Sequence, residues 1–312
     1  MIDSDIKIWH ASESVEARVR EWFAGRITEK IRDGARSIRI SHPEKKGSYL
    51  KIKGAGFKGG SIAFGQLWNG GPRAPVFDFD GRMMEDVSSG HDNAYKGGAS
   101  FQQAVVEYRM SRIVADLDYD VVPCLGYGRI RMDGYTSWFS LFELDKRWES
   151  VVVPAFSIEE YGDALISMSH FLTDIAIKHR LIGHCWYLGE RGGVRFLKDL
   201  HPFRSTDPIN MSQLSWVMQL LFALHTISLS ALHFPKAAGI ENIPEDFQAY
   251  IFRDFLPDAT RDEHQSLRWA LVSPYMLQPP KSFDQRALIK ILLENRITNA
   301  LMDLCPKEYA HP

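Results

Sequence analysis

The period of the apolar residues changes near residue 145, and this change constrains the fold more than any other feature of the chain. Before it, short runs alternate apolar and polar side chains as strands do, at 36–41, 48–53, 61–68, 120–131 and 135–144. After it, apolar residues recur every three or four positions, which predicts helices near 157–178, 212–230, 244–255, 260–272 and 283–304. We therefore expect an α+β protein with a strand-rich part at 1–144 and a mainly helical part at 145–312.

Two helices interrupt the strands of the first part. Apolar residues at helical spacing predict one helix that begins behind Ser12 or Ser14 and ends at Gly34. Ser100 and Gln103 form a capping box, which predicts a second helix over 100–117. Both helices carry an apolar stripe.

The remaining segments are predicted mostly from their turn residues and caps. Residues 69–99 are rich in Gly, Pro and Asp, which is typical of a long loop. In the second part, residues 179–193 are predicted to form a loop that leads into one strand at 194–198. Capping boxes begin two of its helices, at Ser157 with Glu160 and at Ser282 with Gln285.

The charge of the chain is distributed unevenly. The formal net charge is −2, yet residues 18–58 hold twelve Lys and Arg against four acidic residues, a local charge of +8 that leaves −10 elsewhere. A basic segment suits a polyphosphate ligand, and a solvated charged face explains the same numbers equally well. We expect no nucleic-acid partner, because no known binding motif accompanies the charge.

The three cysteines, Cys124, Cys185 and Cys305, are widely spaced and form no C-x-x-C pair. This pattern argues against a zinc ribbon or a disulfide framework and favours a reducing compartment. The N-terminal residues lack the apolar region of a secretory signal. The most apolar stretch, 214–232, contains Gln219 and His225 and is predicted to be a buried helix. We therefore expect a cytoplasmic protein without a membrane partner.

A lysine ends the predicted strand at 48–53. Alternation along this strand places Lys53 on the face opposite Leu50 and Ile52, as a phosphate-binding lysine requires. Residues 54–59 then read GAGFKG and match the pattern G-x-G-x-x-G, but the glycines and prolines of 65–75 exclude the helix of a dinucleotide-binding fold. Two interpretations stay open: an ordinary glycine-rich turn, or a cradle of backbone amides for phosphates.

Glu107 on the second predicted helix and Asp199 after the strand at 194–198 follow Lys53 in the chain. A strand lysine, a helix glutamate and a strand-end aspartate, in this order, form the layout of a protein-kinase-like nucleotide site. The lysine holds phosphates, the glutamate orients the lysine, and the aspartate holds a metal. Each residue also has an ordinary alternative: a surface lysine, a solvated glutamate and a strand-end cap.

Two other kinds of site are less well supported. Asp199 and His201 could share a transition metal, but no third ligand is evident, and His201 is interpreted as a structural neighbour. His179, His184 and Cys185 suggest Cys–His catalysis, but residues adjacent in sequence rarely face each other productively.

Residues 50–56, LKIKGAG, resemble the L-x-L-K-G-A-G of the selenoprotein O family. Weaker similarities follow in DGR at 80–82, AVVEY at 104–108 and DVVP at 120–123, so the resemblance covers roughly 48–128. The family has a kinase-like fold, binds ATP in an inverted pose and transfers AMP to protein hydroxyls. The resemblance therefore implies a kinase-like fold and an ATP site here.

The chain departs from the family pattern in two places. Lys53 and Glu107 are much farther apart, so Lys96 and Gly97, rather than Asp80 and Gly81, are an alternative nucleotide-contacting pair. The family's catalytic loop is of the N-T-D-N type, whereas residues 183–188 read GHCWYL, without Asp or Asn. His184 and Cys185 stand at those places, and an imidazole can act as a general base near neutral pH.

Together these observations predict a two-lobed protein-kinase-like α+β fold, with lobes at 1–144 and 145–312 and ATP and Mg²⁺ bound between them. The predicted catalytic residues are Lys53, Glu107 and His184, the metal ligand is Asp199, and the nucleotide contacts are Lys53, Gly54, Gly56, Asp80 and Gly81. The predicted function is ATP-dependent transfer of AMP or phosphate to a protein or small-molecule acceptor. A pseudokinase scaffold and an ATP-dependent carboxylate-activating ligase are the alternatives.

Overall fold

The computed structural model describes most of the chain, and the fold below is that of the described residues. They are 5–27, 29–33, 37–54, 99, 101–132, 135–150, 157–189, 195–237, 252, 256–260, 262–264, 266–267 and 285–309.

Helices and strands are numbered in chain order. The strands are β1 (Ile6–Trp9), β2 (Lys30–Asp33), β3 (Ser37–Ser41), β4 (Ser48–Lys53), β5 (Cys124–Met132), β6 (Tyr135–Asp145), β7 (Glu149–Ser150), β8 (Leu181–Ile182), β9 (Trp186–Gly189), β10 (Arg195–Lys198) and β11 (Arg204–Ser205). The helices are α1 (Glu13–Phe23), α2 (Phe101–Asp116), α3 (Ile158–His179), α4 (Gln213–Ala237), α5 (Gln285–Glu294) and α6 (Arg296–Leu304), and a 3-10 turn follows at Lys307–Tyr309. The predicted α+β class is confirmed.

The chain forms two compact units, Met1–Trp148 with Phe196–His201, and Glu149–Arg195 with Pro202–Pro312. In the first unit, six of the described strands form one antiparallel sheet in the order β1-β5-β6-β4-β3-β2. Strand β4 lies inside this sheet, where it pairs with β3 on one side and β6 on the other.

The two faces of the sheet have different partners. On one face, the β4 residues Leu50 and Ile52 are fully buried in a core with α1 residues such as Val19 and Trp22. Lys53 has the opposite orientation, as the predicted alternation requires, and contacts Glu107 of α2. An apolar face and a face with charged residues therefore lie on opposite sides of the same short strand.

The second unit is built largely from helices. The capping box predicted for α3 is confirmed, since Ser157 and Glu160 bond each other's backbone N–H groups. The short strands β8 and β11 pair, and Thr206 and Tyr309 share a buried hydrogen bond of 2.6 Å. Within the described residues, no helix has the length and apolar character to cross a membrane.

Three local predictions were wrong. Helix α1 ends at Phe23 rather than at Gly34, because Gly25 takes a positive φ of 71° and residues 30–33 pair with β3 instead. The loop predicted at 179–193 contains strands β8 and β9. The helix predicted over 283–304 is two helices, because Asn295 leaves helical geometry and caps α6.

Several predictions fall outside the described residues. They are the strand at 61–68, the loop at 69–99 apart from Ala99, the caps at Ser100 and Ser282, and the helix at 244–255 apart from Phe252. The helix predicted at 260–272 is described only in part.

Candidate functional site

Lys53 is a buried cation at the end of β4. Its side chain is 11% exposed, and its Nζ lies 5.9 Å from the centre of the Phe142 ring. A buried ammonium group is costly unless opposite charges and hydrogen-bond acceptors surround it. Two carboxylates, Glu107 and Asp199, supply that compensation, and both contact Nζ.

Glu107 lies on the buried side of α2 and is only 3% exposed. It occupies this side because it follows Ala104 by three residues and precedes Ser111 by four, and both of these are buried. Its Oε2 accepts a hydrogen bond from Lys53 Nζ at 3.0 Å, and its Oε1 accepts one from the backbone N–H of Leu200 at 2.9 Å.

A third donor completes the surroundings of Glu107. His201 Nδ1 lies 3.1 Å from Glu107 Oε2, and because an ionised carboxylate only accepts, Nδ1 carries the proton in this contact. Glu107 therefore connects α2 to β4 through Lys53, and to the segment after β10 through Leu200 and His201. A buried carboxylate with three donors is held in one orientation.

Asp199 directly follows β10 and has a left-handed backbone with φ of 62°. Its Oδ1 accepts a hydrogen bond from Lys53 Nζ at 2.5 Å, and its Oδ2 lies 3.7 Å from Lys198 Nζ. Aspartate is one of the few residues besides glycine that tolerate this conformation. In it, Asp199 bonds Lys53 while the next backbone N–H bonds Glu107.

The electrostatics of the cluster keep both carboxylates ionised. Burial alone would raise the pKa of Glu107, but Lys53 and His201 outweigh it and hold the pKa at about 2. Burial opposes ionisation of Asp199 as well, yet Lys53, Lys198 and Lys51 hold its pKa well below the ordinary value. The cluster thus places three lysines around one partly exposed aspartate, whose side chain is 30% exposed.

The buried thiol of Cys124 has a raised pKa, first through burial and then through the charge of Glu107. The thiol therefore stays protonated at neutral pH, so Cys124 is not a nucleophile in this arrangement.

Gly54 follows Lys53 with φ of +100°, a backbone conformation that side chains rarely adopt. A Cβ there would lie 2.7 Å from the carbonyl oxygen of Trp138. The first glycine of the G-x-G-x-x-G pattern is therefore required by the backbone and by the close approach of β6.

The structure brings Lys53, Glu107 and Asp199 together within the first unit, although Glu107 and Asp199 follow Lys53 by 54 and 146 residues. His184 lies in the second unit, between β8 and β9. Gly56, Asp80 and Gly81 lie outside the described residues, as do Lys96 and Gly97.

No role in the site was predicted for Lys51 or Lys198, and His201 was predicted to be a structural neighbour only. Lys51 shares a strand face with Lys53, and Lys198 is adjacent to Asp199, so both could have been inferred from alternation and proximity. The contact between His201 and Glu107 had no sequence signal, because it depends on the left-handed turn at Asp199.

The donor set of the cluster suits a metal ion only when phosphate oxygens complete the coordination. Within the described part of the chain, no group of three or more His, Cys, Asp or Glu side chains could hold a metal. The oxygens of Glu107 are already engaged, which leaves Asp199 as the carboxylate of this cluster that could turn toward one. Mg²⁺ is commonly bound in this way, through one or two carboxylates and the phosphates of a substrate.

Comparisons with known proteins add no family assignment. No protein-family model matches the chain, and no curated protein matches it significantly. The resemblance to the selenoprotein O family therefore rests on the short motifs at 50–56, 80–82, 104–108 and 120–123.

Proposed function

We propose that the chain is an ATP-dependent transferase with a two-lobed kinase-like fold, which moves AMP or phosphate to a protein or small-molecule acceptor. The observation that carries the proposal is the buried ion pair between Lys53 of β4 and Glu107 of α2, joined by Asp199 after β10. A lysine oriented by a helix glutamate beside a strand-end aspartate is the arrangement that kinase-like sites use for nucleotide phosphates.

In this proposal Lys53 holds oxygens of the ATP phosphates. Glu107 stays ionised and keeps the ammonium group directed away from the apolar core. Lys51 and Lys198 add positive charge beside Asp199, which favours a ligand with several negative charges. The protein thereby supplies positioning and electrostatic stabilisation, the main sources of catalysis in phosphoryl transfer.

Asp199 would hold the metal that accompanies ATP. When bound, this metal would neutralise part of the charge on the phosphates. The partly exposed carboxylate and its position directly after β10 support this role. Asp199 alone is a weak ligand, so we expect the metal to bind with the nucleotide rather than before it.

Two transfers remain open within the proposal. An acceptor hydroxyl that attacks the α-phosphorus releases pyrophosphate and receives AMP, whereas attack on the γ-phosphorus releases ADP and transfers phosphate. His184 is the proposed base that takes the hydroxyl proton, because an imidazole has a suitable pKa range.

The test uses ATP labelled at the α- or γ-phosphorus with the purified chain and candidate acceptors. Incorporation of the α-label indicates AMP transfer, and incorporation of the γ-label indicates phosphoryl transfer. In either case Asp199→Ala should abolish turnover, and His184→Ala should slow it about a hundredfold if His184 is the base. Turnover by a folded Asp199→Ala protein would contradict the metal assignment.

A pseudokinase scaffold is the second candidate, and the sequence of residues 183–188 favours it. Residues 183–188 contain no Asp or Asn, and Cys185 is fully buried, so its thiol cannot replace a catalytic carboxylate. Nucleotide binding without incorporation of either label would support this candidate. Release of AMP or ADP that requires a carboxylic acid would instead indicate the ligase.

A further inference from the structure

The two carboxylates that contact Lys53 differ in how firmly they are held. Glu107 also accepts hydrogen bonds from Leu200 N–H and His201, and it is almost fully buried. Asp199 is ten times more exposed, and its second oxygen makes a longer contact, 3.7 Å, with Lys198. An anion that competes for Lys53 would therefore displace Asp199 rather than Glu107.

The contact to be displaced resembles the one that a ligand would make. Asp199 Oδ1 lies 2.5 Å from Lys53 Nζ, a charge-assisted hydrogen bond of the kind an ammonium group also makes to a phosphate oxygen. Both oxygens are anionic acceptors, so a phosphate oxygen can take the N–H of Lys53 that bonds Asp199.

We propose that Asp199 Oδ1 marks the position of a phosphate oxygen of the ligand, and that a polyphosphate binds by taking this position from Asp199. This inference rests on the proposed function, because it assumes that Lys53 binds phosphate. It adds an internal competitor to the site: the same residue that would hold the metal opposes phosphate binding when no metal is bound.

The exchange couples binding of the polyphosphate to binding of the metal. When a phosphate takes Lys53, Asp199 loses its closest cation and remains a partly buried carboxylate beside a new anion, which is unfavourable. A divalent metal on Asp199 removes this cost, so metal and polyphosphate strengthen each other's binding by the same factor. Without a metal, polyphosphate binds weakly.

The experiment measures binding of inorganic tripolyphosphate by isothermal titration calorimetry, with EDTA and with Mg²⁺. Asp199→Asn removes the competing charge while it keeps the size of the side chain. We expect this variant to bind metal-free tripolyphosphate about tenfold more tightly than the wild type, and to lose the gain that Mg²⁺ gives the wild type. Glu143→Gln is the matched control, since it also removes a carboxylate paired with a lysine, Lys45, at 2.7 Å.

The outcomes separate the inference from the proposed function. A wild type that binds ATP with Mg²⁺, together with an Asp199→Asn variant that gains no metal-free affinity, overturns the inference alone. If Asp199→Asn gains the same affinity for tripolyphosphate with and without Mg²⁺, the inference is also overturned, because such a gain indicates only a change of local charge. If neither protein binds ATP or tripolyphosphate under any condition, while both melt cooperatively, the proposed function fails and the inference fails with it.

Discussion

Glu107 shows how one buried carboxylate can determine the geometry of a site. It accepts bonds from Lys53, from the N–H of Leu200 and from His201, and each donor belongs to a different position in the chain. A buried charge without such partners would destabilise the fold by several kcal/mol. The residue is therefore structural and, in the proposed function, also positions the lysine.

The depressed pKa of Glu107 makes stability depend on pH in the acidic range. Its pKa is about 2 in the folded protein against an ordinary 4.5, so its contribution is complete above about pH 4.5 and is lost as the pH falls toward 2. Between pH 6 and 3 the wild type should lose about 2 kcal/mol more unfolding free energy than Glu107→Gln. Urea unfolding at several pH values measures the difference, and parallel pH profiles would contradict the assignment.

At the scale of the elements, Lys53 and Glu107 join strand β4 to helix α2. Lys53→Met should lower the free energy of unfolding by roughly 3–5 kcal/mol, because it leaves two carboxylates without their closest cation. The double variant with Glu107→Gln should lose less unfolding free energy than the sum of the two single losses, by about 1 kcal/mol or more. Urea unfolding of the three variants measures the difference.

The ion pair of Lys45 and Glu143 provides the control for this double-mutant cycle, in which two single variants are compared with the double variant. Lys45 is 55% exposed, so the corresponding cycle there should give a coupling below about 1 kcal/mol. Additive losses at Lys53 and Glu107 would show that they do not act as a pair.

These elements also show what could be predicted from the sequence. Alternation in β4 predicted the orientation of Lys53, because local periodicity determines which way a side chain points. Glu107 and Asp199 were selected by their order in the chain after Lys53. The hydrogen bonds of Glu107 to Leu200 and His201 could not be predicted. They depend on residues more than ninety positions away and on the left-handed backbone of Asp199.

Local signals also failed where tertiary contacts compete with them. The apolar spacing that predicted a helix to Gly34 continues past Phe23, but residues 30–33 gain more by pairing with β3. Asn295 lies in a helical pattern and still ends it, since its side chain caps the next helix.

At the scale of the whole molecule, the basic segment at 18–58 contributes Lys51 and Lys53 to a cluster whose aspartate comes from residue 199. Lys198 adds a third cation, so the first unit combines residues distant in sequence into one positively charged site. Such a site attracts polyanions and binds them less tightly at high salt. This charge distribution is favourable for the polyphosphate that the proposed function requires.

The most direct test of the account is the melting temperature of the wild type and of Lys53→Met, with and without millimolar ATP and Mg²⁺. A ligand that binds the folded state stabilises it by linkage, so ATP with Mg²⁺ should raise the melting temperature of the wild type and of the Glu143→Gln control. Folded Lys53→Met should show little or no rise. An unchanged melting temperature in well-folded wild type, or an equal rise in Lys53→Met, would contradict the claim that Lys53 binds the nucleotide.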